Sequence, residues 1–316
     1  MLIVNLILFL VCLVVLIKCA AYAIRYSSQL SKILRLPEFV VSFFIIALIS
    51  ALPEATISIM SALNGEPELG LGTLLGSNVA DLTLVFGIVA LFSSSGIKVR
   101  SKILRDSFSY LILLMFPLLL GLDGRLSSLD GAVLILGGAL FFAHTYVESR
   151  KFHKRFSNTK RGSFAKSLLL LIISLAIILA SAYLTVRFAV GFAYDIKLPP
   201  ILIGLTIIAV GTCLPELIFS IRAVKKNHDA LALGDVLGTV VTDATIILGI
   251  VALISPFSYN PLNIYTTGGA MVVAGFLVIV FMKSEKSISK VEGVLLLLVY
   301  IAFVITEFFI NSFLGN

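Results

Sequence analysis

Charge is scarce in this chain. Only 13% of its 316 residues are Asp, Glu, Lys or Arg, about half the share found in water-soluble domains. A globule of this size would lack the polar surface to face water, which excludes a soluble enzyme or binding module. Cysteine is scarce too: Cys12, Cys19 and Cys213 have no metal-like spacing and two of them share one apolar run, so neither a disulfide framework nor a zinc site is encoded. Histidine is limited to His144, His153 and His228, few of the ligands that soft or borderline metals require. What remains is apolar. Hydrophobic residues make up 59% of the chain and the mean hydropathy is +1.11, in recurring runs of about 20 residues, the length that crosses a bilayer core as a helix. The expected fold is an all-α integral membrane protein whose main partner is the lipid bilayer.

Breakers separate ten candidate spans, near residues 2–24, 38–63, 68–93, 103–121, 127–147, 167–192, 199–223, 229–255, 262–282 and 288–312. The first has no basic leading region and is followed by many more, so it reads as a span and not as a removable signal peptide. With the N-terminus outside, every one of the 24 Lys and Arg except Arg125, Arg187 and Lys197 falls in or beside a cytoplasmic loop. That bias is the positive-inside signal. It predicts a multi-pass cell-membrane protein with both termini outside and a large basic cytoplasmic loop. The net charge of +7 is then a mark of topology and not a nucleic-acid-binding surface. Nothing in the sequence points to a protein partner.

Displacing the sequence by 162 residues aligns 46–91 with 208–253 without a gap: Leu52-Pro53-Glu54 falls on Leu214-Pro215-Glu216, Gly72 and Gly76 on Gly234 and Gly238, Asp81 on Asp243, and Gly87 to Leu91 on Gly249 to Leu253. The chain thus reads as two five-helix repeats, residues 1–147 and 167–316, joined by a basic cytoplasmic linker at 148–166. Five is odd, so the second copy enters the membrane from the opposite side. Inverted repeats with interrupted helices point to a secondary transporter with its site near the midplane between the copies.

Four acidic residues, Glu54, Asp81, Glu216 and Asp243, lie deep inside spans. Each such charge costs about 2.5–3.5 kcal/mol at a helix centre, and no Lys or Arg within those spans offers to pair. Protonated carboxyls bonded between helices would account for one or two of them, but less well for four at matched repeat positions. Pro53 and Pro215 lack an N–H, which frees carbonyls at Ile49 and Gly211 immediately ahead of the glutamates. Hydroxyls at Ser50 and Thr212 stand one turn before the glutamates, and those at Ser77 and Thr239 one turn before the aspartates. Two mirrored all-oxygen half-sites suit a hard cation such as calcium or sodium. Cys213 reads as a small apolar filler. The paired glycines serve close helix packing or backbone access to an ion. Asp235, with Thr73 at the matching position, is either a cytoplasmic vestibule residue or a solvated acid at a helix start.

The segments ALISALPEATIS with GTLLGSNVAD, and AVGTCLPELIFS with GDVLGTVVTDA, resemble the two alpha-repeats of the sodium/calcium exchanger family, within the cation/calcium exchanger superfamily. The resemblance implies that Glu54 and Glu216 share calcium with help from Ser50 and Thr212. It implies that Ser77 and Thr239, with the carbonyls of Ala47 and Ala209, serve flanking sodium sites, and that Asp81 and Asp243 take the central position facing the glutamates. It implies no cofactor; Ca2+ and Na+ are cargo. The chain departs from the family pattern at Ala51 and Cys213, where serine hydroxyls are expected, at Asp81 where Asn is frequent, and at Asp235 where GD replaces GN. With calcium bound, four ionised carboxylates would retain a charge of −2, so monovalent cations or protons must supply the balance.

The leading reading is an antiporter that exports Ca2+ in exchange for Na+ by alternating access. An H+-coupled antiporter for Ca2+ or another divalent ion, with Asp81 and Asp243 as proton carriers, has the same architecture. A passive channel would conduct without a counter-gradient. An intramembrane aspartyl protease, suggested by Tyr194-Asp195 and Gly234-Asp235, would leave the duplicated glutamates unused.

Overall fold

The computed structural model describes residues 2–34, 36–65, 67–99, 108–150, 164–195, 211, 213–259, 264–284 and 286–314. Ala209, Thr212 and most of the linker expected at 148–166 lie outside these residues. The described chain is helical apart from four two-residue strands. Helix α1 is Leu2–Leu34 and α2 covers residues 38–50. Helix α3 is Leu52–Leu63 and α4 covers 67–92. Helix α5 is Phe108–Leu120, α6 Ser128–Arg150, α7 Phe164–Asp195 and α8 Leu214–Lys225. Helix α9 covers 229–254, α10 covers 264–284 and α11 is Lys290–Leu314.

Among the described residues eight stretches are long and apolar enough to cross a membrane: Ile3–Leu34, Glu38–Met60, Gly70–Phe92, Ser128–Glu148, Phe164–Ser181, Asp229–Ile254, Tyr265–Ser284 and Lys290–Phe309. The other two spans expected from the sequence, 103–121 and 199–223, fall only partly within the described residues, as α5 and α8. Helices α4 and α9 form the centre, each with 78% of its apolar window buried, whereas α1 and α11 have 12% and 11% buried. The apolar side chains exposed on the outer helices, such as Ile7, Leu136 and Leu298, form the surface a bilayer would wet. The molecule is a multi-pass membrane protein.

Contacts between the two parts of the chain come in matched pairs. Helix α4 crosses α11 at Gly87 and Gly293, where a Cβ on Gly87 would stand 2.8 Å from the Gly293 carbonyl oxygen. Helix α9 crosses α6 at Gly249 and Gly131, where a Cβ on Gly249 would stand 2.7 Å from the Gly131 carbonyl oxygen. Only glycine lets two backbones approach so closely. At the ends of these helices Ile97–Lys98 pairs antiparallel with Ser287–Ile288, and Arg125–Leu126 with Phe257–Ser258. Helices α1 and α7 pack extensively on each other and lie against α8.

Candidate cation site

Both Leu-Pro-Glu motifs open a helix in the same way. The helical run of α2 stops at Ala51 (φ −68°, ψ −4°) and restarts as α3 with proline in its first turn. Cys213 (φ −85°, ψ 6°) precedes α8 in the same manner, again with proline in the first turn. Proline is tolerated there because its missing N–H would find no partner in any case. This start places Glu54 and Glu216 in the first turn of a helix, at its positive dipole end. The aspartates occupy matched positions as well. Asp81 opens a π-helical stretch, Asp81–Val85, within α4, and Asp243 is the second residue of another, Thr242–Ile247, within α9. Such widened turns recur at functional sites because they redirect a side chain without ending the helix.

All four carboxylates are brought into the buried interior, with no more than 1% of any of these residues exposed. Helix α3 packs on the π-helical stretch that holds Asp243, and α8 on the one that holds Asp81. No Lys, Arg or His among the described residues forms a salt bridge with any of them. Among the described residues, Glu54 Oε2, Asp81 Oδ1, both Glu216 oxygens and both Asp243 oxygens are buried and find no hydrogen-bond partner. An unsatisfied buried polar atom costs about 1–3 kcal/mol, and more when charged. Six such oxygens on these four residues are a cost that nearby positive charge would relieve.

The neutral oxygens expected beside these carboxylates are partly in place. Ser50, Ser77 and Thr239 are buried. Ser50 donates to Asp235 Oδ1 at 2.8 Å, Ser77 to the Leu74 carbonyl at 3.1 Å, and Thr239 to the Ala47 carbonyl at 3.4 Å. The Ala47 carbonyl thus meets Thr239 of α9. Cys213 is buried, with its sulfur 3.9 Å from the Ser77 carbonyl oxygen. Among the described residues no three His, Cys, Asp or Glu side chains are drawn together tightly enough to hold a metal by themselves. An ion held here must therefore draw on hydroxyl and carbonyl oxygens as well.

Three further polar residues are buried in the interior. Asp235, read from the sequence as a vestibule or solvated acid, is fully buried and bonded to Ser50. Asn78 is fully buried with its side-chain oxygen unpartnered, and so is the Ser220 hydroxyl one turn after Glu216. The identity of Ser58 with Ser220 in the repeat alignment was the available signal for the last. The glycines of α9 prove to be packing devices: a Cβ on Gly234 would stand 2.5 Å from the Phe39 carbonyl oxygen, and one on Gly238 2.7 Å from that of Phe43.

The sequence model of the sodium/calcium exchanger protein family matches residues 4–147 and again residues 166–309. Sodium/calcium exchanger MaX1 of Methanosarcina acetivorans is 28% identical over 98% of this chain and 100% of its own length. The uncharacterized membrane protein MJ0091 of Methanocaldococcus jannaschii is 30% identical over 87% of this chain and 88% of its own. A structure of the sodium-calcium exchanger NCX_Mj, soaked without Na+ and Ca2+, superposes with a TM-score of 0.83 at 27% identity, covering 97% of this chain and all of the other. Another, soaked with Na+ and Sr2+, gives 0.81 at 28% identity, covering 96% and 98%. Exchangers are transporters, which removes the intramembrane protease reading. The chain belongs to the sodium/calcium exchanger family.

Proposed function

We propose that this protein exports Ca2+ in exchange for Na+ by alternating access, through one site built on Glu54 and Glu216, with Asp81 and Asp243 facing them. The observation that carries the reading is the set of six buried, unpartnered carboxylate oxygens on these four residues. Calcium fits because it takes six to eight oxygens in adaptable geometry, and sodium accepts the same donors. Both ions compete for the glutamates. Exchange follows because the empty site, with four carboxylates facing one another in a low-dielectric interior, is costly to carry across.

The architecture we infer is ten spans in two inverted halves, 1–147 and 167–316, joined by the basic stretch 148–166, with both termini outside. The paired glycine crossings and paired strands support it, since Gly87 and Gly131 stand 162 residues before Gly249 and Gly293. So does the double match of the family model. The moving part is the pair α1 and α7. In support, the contact of α7 with the site is an apolar one: Leu175, Ile178 and Leu179 close over Ser50, Pro215 and Phe219, leaving a void of about 10 Å³, close to the volume of one probe sphere. Apolar surfaces slide without breaking directional bonds.

A proton-coupled version has one specific observation in its favour, the aspartate at position 81 where the family pattern often places Asn. Uptake of radioactive calcium into vesicles separates the two. A sodium gradient at constant pH drives uptake in the first version, and a pH gradient without sodium drives it in the second. No response to sodium overturns sodium coupling, and uptake that survives Glu54→Gln or Glu216→Gln overturns both.

A further inference from the structure

A second polar cluster lies away from the buried carboxylates, where α1 ends and α9 begins, on the face that is cytoplasmic in the orientation we infer. Glu38, the first residue of α2, is at its centre. Its Oε1 accepts the Ser28 hydroxyl proton of α1 at 2.8 Å. His228, the residue before α9, has its Nδ1 3.0 Å from both Glu38 oxygens, close enough for its N–H to donate to the carboxylate. One side chain thus joins three segments: α1, α2 and the turn between α8 and α9. The other half has no copy of it. A displacement of 162 residues carries α1 onto α7, α3 onto α8 and α4 onto α9. The same displacement sets Ser28 on Val190 and Glu38 on Pro200, neither with a polar side chain, and Glu66 on His228.

In the transport reading these partners fall on both sides of the moving boundary. Glu38 and His228 sit on the core. Ser42, one turn along α2 from Glu38, donates to the Leu231 carbonyl of α9 at 2.6 Å, and Gly234 and Gly238 keep the two helices in backbone contact. The turn is fixed as well: the Ala223 carbonyl near the end of α8 accepts the His228 backbone N–H at 2.9 Å, and Asn227 takes a left-handed φ of 60°, which asparagine tolerates. Ser28 belongs instead to α1, one helix of the moving pair. Its bond to Glu38 is the one that a slide of α1 along the core must break, while His228 holds the acceptor in place. Water can then take over. A cavity of about 470 Å³ opens between α1 and the turn, with Arg25, Ser28, Lys32, Lys226 and His228 in its lining, and the Glu38 and His228 side chains are 25% and 30% exposed. A carboxylate released beside water and three cations keeps its partners, whereas one released into a dry interior would lose them.

We infer that Ser28, Glu38 and His228 form a latch that holds α1 against the core while that face is closed, and that release of the Ser28–Glu38 bond is a step in opening it. The inference rests on the alternating-access reading, whichever ion is the counter-ion, and adds an asymmetry to it, because α7 carries no such latch at the opposite face. His228 is a positioning residue that acts through Glu38. Loss of the latch disfavours the closed conformation of its own face and leaves the ion ligands untouched. The apparent affinity at a face is the intrinsic affinity scaled by the fraction of molecules open there. Without the latch it rises at the latch face and does not rise at the other.

The test follows exchange of radioactive for unlabelled calcium by the full chain in vesicles of fixed orientation, without sodium. Ser28→Ala and His228→Ala remove one partner each, and Glu38→Ala removes both bonds. The half-saturating calcium concentration at the latch face falls about threefold or more in Glu38→Ala and in Ser28→Ala, and by less in His228→Ala, with no fall at the opposite face. Calcium binding to the detergent-solubilised protein stays within about twofold of wild type. Ser28→Ala added to Glu38→Ala has no further effect, since the two residues act as one unit. Half-saturation that is unchanged at both faces, or that moves in the same direction at both, overturns the latch; a role in stability alone gives one of these results. A wild type that exchanges no calcium, or that passes calcium with none on the other side, overturns the alternating-access reading itself, and the latch with it, before any variant is measured. Should Glu38→Ala fail to fold, as read by size-exclusion chromatography, Ser28→Ala, which deletes a single oxygen, carries the same comparison.

Discussion

Gly238→Ala should damage transport more than it damages the fold. The added Cβ would lie 2.5 Å from the Ala47 Cβ and 2.7 Å from the Phe43 carbonyl oxygen, about 0.9 and 0.7 Å inside the 3.4 Å at which ordinary contact begins. Both neighbours belong to the α2 backbone or its first side-chain atom, so no rotamer change relieves the clash. Overpacking of this kind costs about 1–3 kcal/mol, relieved only by moving α9 from α2 by several tenths of an ångström. That movement separates Asp235 from Ser50 and Thr239 from the Ala47 carbonyl, and misplacing reacting groups by about 1 Å can cost ~100-fold in rate. Gly293→Ala is the matched control. Its Cβ would meet the Ala90 Cβ at 2.8 Å and the Gly87 carbonyl oxygen at 3.0 Å, at the α4–α11 crossing, six residues along α4 from Asp81. We expect both variants to lose thermal stability in detergent. Calcium flux per folded molecule in proteoliposomes should fall at least about tenfold in Gly238→Ala and stay near wild type in Gly293→Ala. Equal flux in the two variants would refute the claim that the α2–α9 crossing positions the site.

Calcium should stabilise the wild type against heating by about 2.7 kcal/mol at 100 times its dissociation constant, and Glu54→Gln or Glu216→Gln should abolish most of that gain. Retained stabilisation in both would show that the ion binds elsewhere. Removing the side chain of Leu175 or Ile178, which cover Ser50 and Pro215, should expose a cysteine placed at position 50 to water-soluble thiol reagents, and an unchanged labelling rate would argue against α7 as the cover. The Arg125 side chain, 2.7 Å from Asp123 in the turn after α5, holds the Asp123 carboxyl below the usual carboxylate range. A depressed folded-state value gives stability that is present above the unfolded value and lost as pH falls through the folded one. Both side chains are exposed, so solvent screens the pair and Asp123→Asn should lower the melting temperature only slightly between pH 6 and 8, the difference from wild type vanishing on acidification; a difference that instead grows as pH falls would contradict the assignment.

Much of this protein was legible without coordinates. Hydropathy and breakers act locally, and a bilayer converts them directly into spans. The helix starts just after Ala51 and Cys213 follow from the proline two residues on, and the four acids were conspicuous because lipid should exclude them. The exact partners of those acids were not legible. Asp235 and Ser50 are 185 residues apart in the chain, and no local pattern tells a solvated acid near a helix start from a buried one. The difference is made by Gly234 and Gly238, whose missing side chains let α9 lie directly on the α2 backbone. The same crossing gives Thr239, and not Ser77, the Ala47 carbonyl. By itself the sequence determined the solvent, the repeat, the family resemblance and the residue types of the site, because each follows from composition or short-range order. Only the tertiary structure decided which oxygens meet and which stand apart, because helix crossings depend on the shape of two surfaces at once.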